Sequence, residues 1–248
     1  MKFTVLTACY NYVTYIVQAM DSFLSQDYKD KEMIVVDDSS NDGSYDVLQS
    51  YAKKYDNIKI FRNSARFFCG GSYNVAILNA SGDICGVLDG DDVLSQSDAI
   101  SLIVKQYEKY ANLAYIYTQF FWCNENLQNC HKGFSDLPIK NCSLAETFLK
   151  GKHAFSHWRT FRTSCRDKRR LFVPGMKYGV DKQLGFYLEE IGEGGFYNKC
   201  LYKYRFHNNN MTHYAVKYQK NDTQIQAREI INRRNRNGIK PFPIRKIS

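Results

Sequence analysis

Short unbroken apolar runs alternate along this chain with longer segments whose apolar positions recur every three or four residues. Residues 3–8 form the first run, and Val13, Ile16, Val17, Met20, Phe23 and Leu24 then fall on one helical face. The second run, 32–38, has an uninterrupted apolar centre from Met33 to Val36, as expected of a strand covered on both faces in a parallel sheet. Ser39 to Gly43 is turn chemistry, and a second helix carries Val47, Leu48, Tyr51, Ala52 and Tyr55 inward. A short strand at 58–61, a helix at 72–79 and a strand at 84–88 follow. Ser95 and Asp98 stand in capping-box relation, with Asp in the usual Glu place, ahead of a helix bearing Ile100, Ile103, Val104 and Tyr107. Residues 113–121 make a fifth strand. Strand and helix alternate four times, which predicts an α/β fold with a doubly wound, mostly parallel central sheet flanked by helices.

The second half is less regular. Ser143 to Glu146 is a capping box opening a short helix that can end at Gly151. Residues 155–161 suit a strand, 180–191 a helix, 196–206 a strand or hairpin, and 219–236 a basic, weakly amphipathic helix that Pro241 and Pro243 do not let continue. Without an internal repeat or a low-complexity linker, one domain with a C-terminal extension is the economical reading.

In a doubly wound sheet, ligands bind outside the carboxyl ends of the strands. Thr7 to Asn11 end one strand, Asp37 and Asp38 a second, and Asp89, Asp91 and Asp92 a third, so three polar clusters share one rim. Two carboxylates about 5 Å apart repel by roughly 3 kcal/mol at an effective dielectric of 20. A divalent cation removes that repulsion; oxygen-rich sites suit magnesium, manganese or calcium, and magnesium in particular is usually held by one or two carboxylates plus substrate phosphates. The plain alternative is an acidic turn opening a helix.

Composition narrows the picture. Apolar residues make up 44% of the 248, including 19 Tyr and 16 Phe, which fits a globular chain. No apolar run is long enough to cross a bilayer, and the run at 3–9 is too short and interrupted for a signal peptide, so a cytoplasmic location is the expectation. The eight cysteines contain no C-x-x-C pair and are expected to be reduced and mostly buried. Cys123, Cys130, His131 and Cys142 match no standard zinc spacing. Of the net charge of +9, residues 215–248 hold +7, from nine basic residues against Asp222 and Glu229. Charge this local reads as contact with an anionic surface, at the cytoplasmic face of a membrane, or as a solvated chain end. No P-loop, dinucleotide-binding or nucleic-acid-binding motif is present, and no nucleic acid partner is expected.

These residues resemble the family 2 glycosyltransferases of GT-A fold over about residues 3–213. Thr7-Ala8-Cys9-Tyr10-Asn11 looks like the family's opening turn, Gln26-Asp27-Tyr28 like its Gln-x-Tyr/Phe, and Glu32 to Gly43 like its I-V-V-D-D-x-S-x-D-G block. Ser81-Gly82-Asp83 followed by Leu88-Asp89-Gly90-Asp91-Asp92 resembles its strand ending in the D-x-D metal motif. The resemblance implies inverting, metal-dependent transfer from a nucleotide diphosphate sugar, a UDP-sugar in the first instance, to a glycan or lipid-linked acceptor. It implies a transferase domain at 1–214, with a nucleotide-sugar half at 1–122 and an acceptor half at 123–214, and a basic extension at 215–248. Thr7, Tyr10, Asn11, Asp37, Asp38 and Asp89 would bind the nucleotide; Asp91, Asp92 and His207 would hold a divalent metal, Mn2+ or Mg2+. The family's Glu-Asp pair resembles Val180-Asp181, making Asp181 the base, and its Tyr-Arg-x-His element resembles Tyr204-Arg205-Phe206-His207, followed by Met211-Thr212. His157, Trp158 and Arg205 are candidates around the acceptor, with the core as the other home for a tryptophan.

Two departures stand out: Val180 replaces the family's Glu, and Tyr73 stands where many members have Arg, with Lys182, Arg159 or Arg162 as replacement cations. Two other functions stay open. Asp89-Gly90-Asp91-Asp92-Val93 also fits the nucleophile motif of haloacid dehalogenase-like phosphatases, although several strands precede it here, and a non-catalytic nucleotide-sugar-binding module would tolerate Val180 and Tyr73.

Overall fold

The computed structural model describes residues 1–208, 210 and 222–248, together with the backbone of 211–221, which continues a helix. The side chains of Met211, Thr212, Lys217, Gln219 and Lys220 lie outside the described residues.

The described residues form, in order, β1 (Phe3–Cys9), α1 (Ile16–Leu24), β2 (Lys31–Asp37), α2 (Ser44–Lys54), β3 (Ile58–Arg62), α3 (Phe68–Leu78), β4 (Ile84–Val87), β5 (Val93–Leu94), α4 (Ala99–Lys109), β6 (Tyr115–Cys123), β7 (His131–Lys132), α5 (Leu144–Leu149), β8 (Arg159–Arg162), α6 (Cys165–Lys168), α7 (Val180–Leu188), β9 (Gly194–Arg205), α8 (Met211–Asn237) and β10 (Ile244–Ile247). One sheet runs β10-β9-β6-β8-β4-β1-β2-β3, with β5 paired to β9 and β7 to β6. The expected parallel core is β4-β1-β2-β3. β6 does not join it directly: β8 inserts between β4 and β6, antiparallel to both.

Alternation along each strand divides the core in two. Val5, Met33 and Val35 pack with α1 and α4, whereas Leu6, Ile34 and Val36 face α3, α5 and α7. This two-sided burial is why β1 and β2 read as continuous apolar runs. Ile16, Ala19, Met20 and Phe23 supply the buried stripe of α1. Trp158 lies wholly inside the first cluster, its ring 5.4 Å from Phe3. It fits because β4 offers Gly86 opposite, where a Cβ would stand 2.7 Å from the indole.

The capping box opening α5 is present: Ser143 Oγ accepts the Glu146 N–H and Glu146 accepts the Ser143 N–H. The expected one at Ser95 and Asp98 is not. Ser95 Oγ donates instead to the Cys200 carbonyl on β9, and Asp98, itself the N-cap, makes no side-chain cap. A further correction concerns the cysteines. Cys123 and Cys130 are joined in a disulfide, because the turn after β6 folds straight back into β7. That pairing removes both thiolates from any zinc site, and Cys142 contacts Lys150 Nζ instead.

The C-terminal residues add to the same sheet. β10 pairs in parallel with β9, and α8 brings Arg234 onto Glu189 and Glu190, each at 2.7 Å. Part of the basic excess of 215–248 is thus matched internally. No helix among the described residues is long and apolar enough to cross a membrane.

Candidate functional site

The carboxyl ends of β1, β2 and β4 open onto one cavity of about 690 Å³, closed on its other side by the start of α7. Tyr10, Asn11, Asp38, Asp89, Asp91, Asp92, His157 and Asp181 all line it. Thr7 and Asp37 are fully buried in the strands behind. Asn11, at φ +55°, knots two strand ends together: its N–H donates to Ser40 Oγ and its Oδ1 accepts the Asn41 N–H, both at 3.0 Å.

The neighbouring carboxylates Asp37 and Asp38 point in different directions, as successive residues of a strand must. Asp38 Oδ1 accepts Asn63 Nδ2 and the Phe67 N–H, both at 2.7 Å, at the cavity wall. Asp37 faces Arg62 at 3.4 Å and the Ser40 N–H. Of the two, Asp38 is the one placed to meet a ligand.

The three carboxylates after β4 have three environments. Asp89 accepts from Tyr73 Oη at 2.6 Å and from Arg159 Nη2 at 2.7 Å. Asp92 is wholly buried, accepting the Arg205 N–H and Tyr202 Oη, both at 2.7 Å. Burial, then Asp91 and Asp89 beside it, push its carboxyl well up from the ordinary range. Asp91 Oδ2 lies 3.1 Å from His207 Nε2, and the His207 ring packs 4.5 Å from Tyr15. Arg205, a candidate for the acceptor side, is instead buried behind this turn. Its Nε donates to the Asp91 carbonyl and its Nη1 to the Glu125 carbonyl, which braces the backbone that presents Asp91.

Asp181 occupies the first turn of α7, with Lys182 Nζ at 3.6 Å and Arg159 Nη1 at 3.8 Å. Burial acts to raise its carboxyl, but Lys182 and Arg159 outweigh that and hold it below its ordinary value. Asp181 is therefore an ionised carboxylate at neutral pH. His157 shows the opposite balance: burial, Arg159 and Lys182 all lower it, leaving a neutral imidazole whose Nδ1 accepts from Arg159 Nη2 at 3.0 Å. Trp158 offers no stacking face here, being consumed by the core.

Of the three replacement cations for Tyr73, Arg159 and Lys182 line the cavity. Arg162 turns away to the carbonyls of Leu113, Tyr107 and Ala111. Arg66 and Lys177 add positive charge at the cavity, both over the Phe68 ring and Arg66 also 3.6 Å from Tyr10. Sequence reasoning passed over Arg66, Phe68 and Lys177 because no motif spaces them.

Among the described residues, two donor sets come into question for a divalent metal. Asp89, Asp92 and His157 place ligand atoms within 4.8 Å of one another. That set already holds the Arg159 guanidinium at Asp89 and His157, and a second cation there meets its repulsion. Asp91 and His207 offer an oxygen and a nitrogen 3.1 Å apart, near the spacing of adjacent ligands about 2.1 Å from an octahedral ion. The carboxylate oxygen suits Mg2+ or Mn2+, and the imidazole nitrogen favours the transition metal, Mn2+, over Mg2+.

Residues 4–166 match the family Glycosyl transferase family 2, and the chain belongs to it. The mixed α/β architecture is that of the GT-A glycosyltransferases. The fold is similar to that of S. aureus TarS 1-349 in complex with UDP-GlcNAc, with TM-score 0.70 and 18% identity, covering 94% of this chain and 72% of that one. The mannosyltransferase PcManGT from Pyrobaculum calidifontis, in complex with GDP-Man and Mn2+, gives TM-score 0.67 and 16% identity over 94% of this chain and 64% of that one. Among curated relatives, the GalNAc(5)-diNAcBac-PP-undecaprenol beta-1,3-glucosyltransferase of Campylobacter jejuni is 31% identical over 68% of this chain and 54% of its own length. An uncharacterized glycosyltransferase of Nostoc is 40% identical over 38% of this chain and 29% of its own length. The chain thus spans about half or less of these two relatives.

Proposed function

We propose that this chain transfers a glycosyl group, with inversion, from a nucleoside diphosphate sugar to a hydroxyl of a glycan or lipid-linked acceptor. The carrying observation is that Asp38, Asp91 and Asp181, from three distant parts of the sequence, face one cavity of about 690 Å³. Asp38 and Asn11 bind the nucleoside end, with Asp89 on the ribose side. Asp91 with His207 would hold a divalent metal, whose chemistry is to neutralise charge on the departing diphosphate. Arg159, Lys182, Arg66 and Lys177 place further positive charge where that anion lies.

In this reading the Asp181 carboxylate takes the proton of the acceptor hydroxyl as its oxygen bonds to the anomeric carbon. The bond from that carbon to the diphosphate oxygen breaks, and the electron pair leaves with the nucleoside diphosphate. In this reading residues 1–122 supply most of the donor site and 123–214 the base and the acceptor side, with Arg159, Lys177, Lys182 and His207 reaching back to the diphosphate. The UDP-GlcNAc complex of TarS supports a UDP-sugar, with GDP-Man of PcManGT as the other donor class, and the undecaprenol-linked substrate of the Campylobacter jejuni relative supports a lipid-linked acceptor. If the acceptor is membrane-borne, the exposed Arg228, Arg236 and Lys240 offer contact at the cytoplasmic face. Charge reversal at these three tests that contact without removing β10 or Arg234.

The test is release of nucleoside diphosphate from a set of UDP- and GDP-sugars with Mn2+. We expect release from at least one donor, its loss in Asp91→Ala, and a fall of about 10²- to 10⁴-fold in Asp181→Asn with donor binding retained. Absence of both binding and release across the set would sink the proposal.

A further inference from the structure

Beside the catalytic cavity lies a second one of about 530 Å³, in the groove between α7 and α8 and under the loop 173–178. Lys177 and Tyr178 line both, so this loop is the wall between them. α8 closes hard on the head of α7 above the groove: a Cβ on Gly179, at φ +68°, would stand 2.3 Å from Thr223 Oγ1. One turn further on, Gln183 on α7 and Gln226 on α8 line the cavity.

Gln183 is 1% exposed, and both its amide nitrogen and its amide oxygen lack a hydrogen-bond partner among the described residues. A buried primary amide with neither atom satisfied is rare, because donor and acceptor have both given up water. Across the groove, Gln226 Oε1 is likewise buried without a partner. One wholly unsatisfied amide and a second amide oxygen, both on residues lining one cavity, point to a polar ligand.

The rest of the lining narrows the class. Asp222 and Glu229 supply carboxylates, and Tyr187 supplies an aromatic ring held from one side by Arg169 at 3.4 Å. Among the described lining residues, two carboxylates face one ammonium, that of Lys177, which disfavours a diphosphate. Amides and carboxylates that pair with adjacent hydroxyls, next to an aromatic face, suit a neutral saccharide. Position agrees: Asp181 and Gln183 are two residues apart, about 200° around α7, so one turn of helix presents the base to one cavity and the amide to the other.

We propose that the α7–α8 groove is a saccharide subsite that holds the part of the acceptor preceding the reacting residue, which reaches Asp181 past Tyr178. This rests on the transferase reading above and names a site for its acceptor.

The test is saturation-transfer NMR on the full chain with UDP and Mn2+ present, using lactose, cellobiose, N-acetyllactosamine and N,N′-diacetylchitobiose as probes. At least one disaccharide is expected to bind the wild type, with its signal falling tenfold or more in Gln183→Leu and in Gln226→Leu. Binding by none of the four, or equal binding by wild type and both variants, overturns the proposal. Titration with UDP and GDP separates the two readings. A wild type that binds neither nucleotide fails as a transferase, whereas one that binds nucleotide but no disaccharide fails only as regards this subsite. Should Gln183→Leu not fold, Gln226→Leu, on the half-buried side of the groove, decides the matter.

Discussion

Arg159 stands 2.7 Å from Asp89 and 3.8 Å from Asp181, and so joins the proposed donor side of the cavity to the proposed base. Because Arg159 and Lys182 hold the Asp181 carboxyl below its ordinary value, the group is fully ionised above that value and loses its charge only as pH falls through the lowered one. The acid limb of activity is therefore expected below about pH 4. In Arg159→Met one of the two opposing charges is gone while burial and Lys182 remain, so the limb should move part of the way upward, and further in the double variant Arg159→Met with Lys182→Met; a limb in kcat/KM against pH unmoved in both would show that Asp181 is not the titrating group. Arg159 was legible only as one of three possible cations. Its partners lie 70 and 22 residues away in sequence, and only β8, inserted beside β4, brings them within reach.

At the scale of elements, Glu32 shows how the strand ends are kept in register. Its Oε1 accepts from Thr4 Oγ1 on β1 and from both the N–H and Oγ of Ser81 ahead of β4, while Oε2 meets Lys59 on β3 at 3.0 Å. Burial acts to raise this carboxyl, but Ser81, Lys59 and Thr4 bring it down to about 2. The folded value lies below the unfolded one, so the stabilisation is fully present above about pH 4.5 and is lost as pH falls towards 2. Glu32→Gln should cost about 3 kcal/mol at pH 7 and flatten the dependence of the denaturation midpoint on pH in that window. A variant with wild-type stability and acid sensitivity would refute this role. The strands β1 to β4 and the helices between them were readable from periodicity, since each is a local pattern of apolar spacing. β8 and β10 were less so, being short strands whose place is set by neighbours far away in sequence.

Two features belong to the whole molecule. Arg234 is 4% exposed in its side chain and bonds Glu189, Glu190 and the Phe186 carbonyl, tying α8 to the end of α7. Arg234→Met removes one side of a buried ion cluster and should cost roughly 3–5 kcal/mol, lowering Tm by about 10 °C. An unchanged Tm would mean that the C-terminal elements contribute little to the fold. The disulfide makes a separate prediction: after unfolding without reductant, thiol labelling followed by peptide mapping should modify six cysteines and spare Cys123 and Cys130. Labelling of all eight would contradict the pairing.

The sequence by itself determined the strand–helix alternation, the polar clusters that end β1, β2 and β4, and the acidic turn that ends in Asp92. These are local properties, carried by apolar period and by residue type at strand ends. Only the tertiary structure decided how the carboxylates divide their work. Asp38 faces the cavity and Asp37 its wall because the strand alternates. Asp91 meets His207 and Asp92 is buried under Tyr202 because β9 returns beside the turn. Trp158 went to the core because Gly86 leaves room for it, and Arg205 went behind the site because the Asp91 carbonyl needed a donor there.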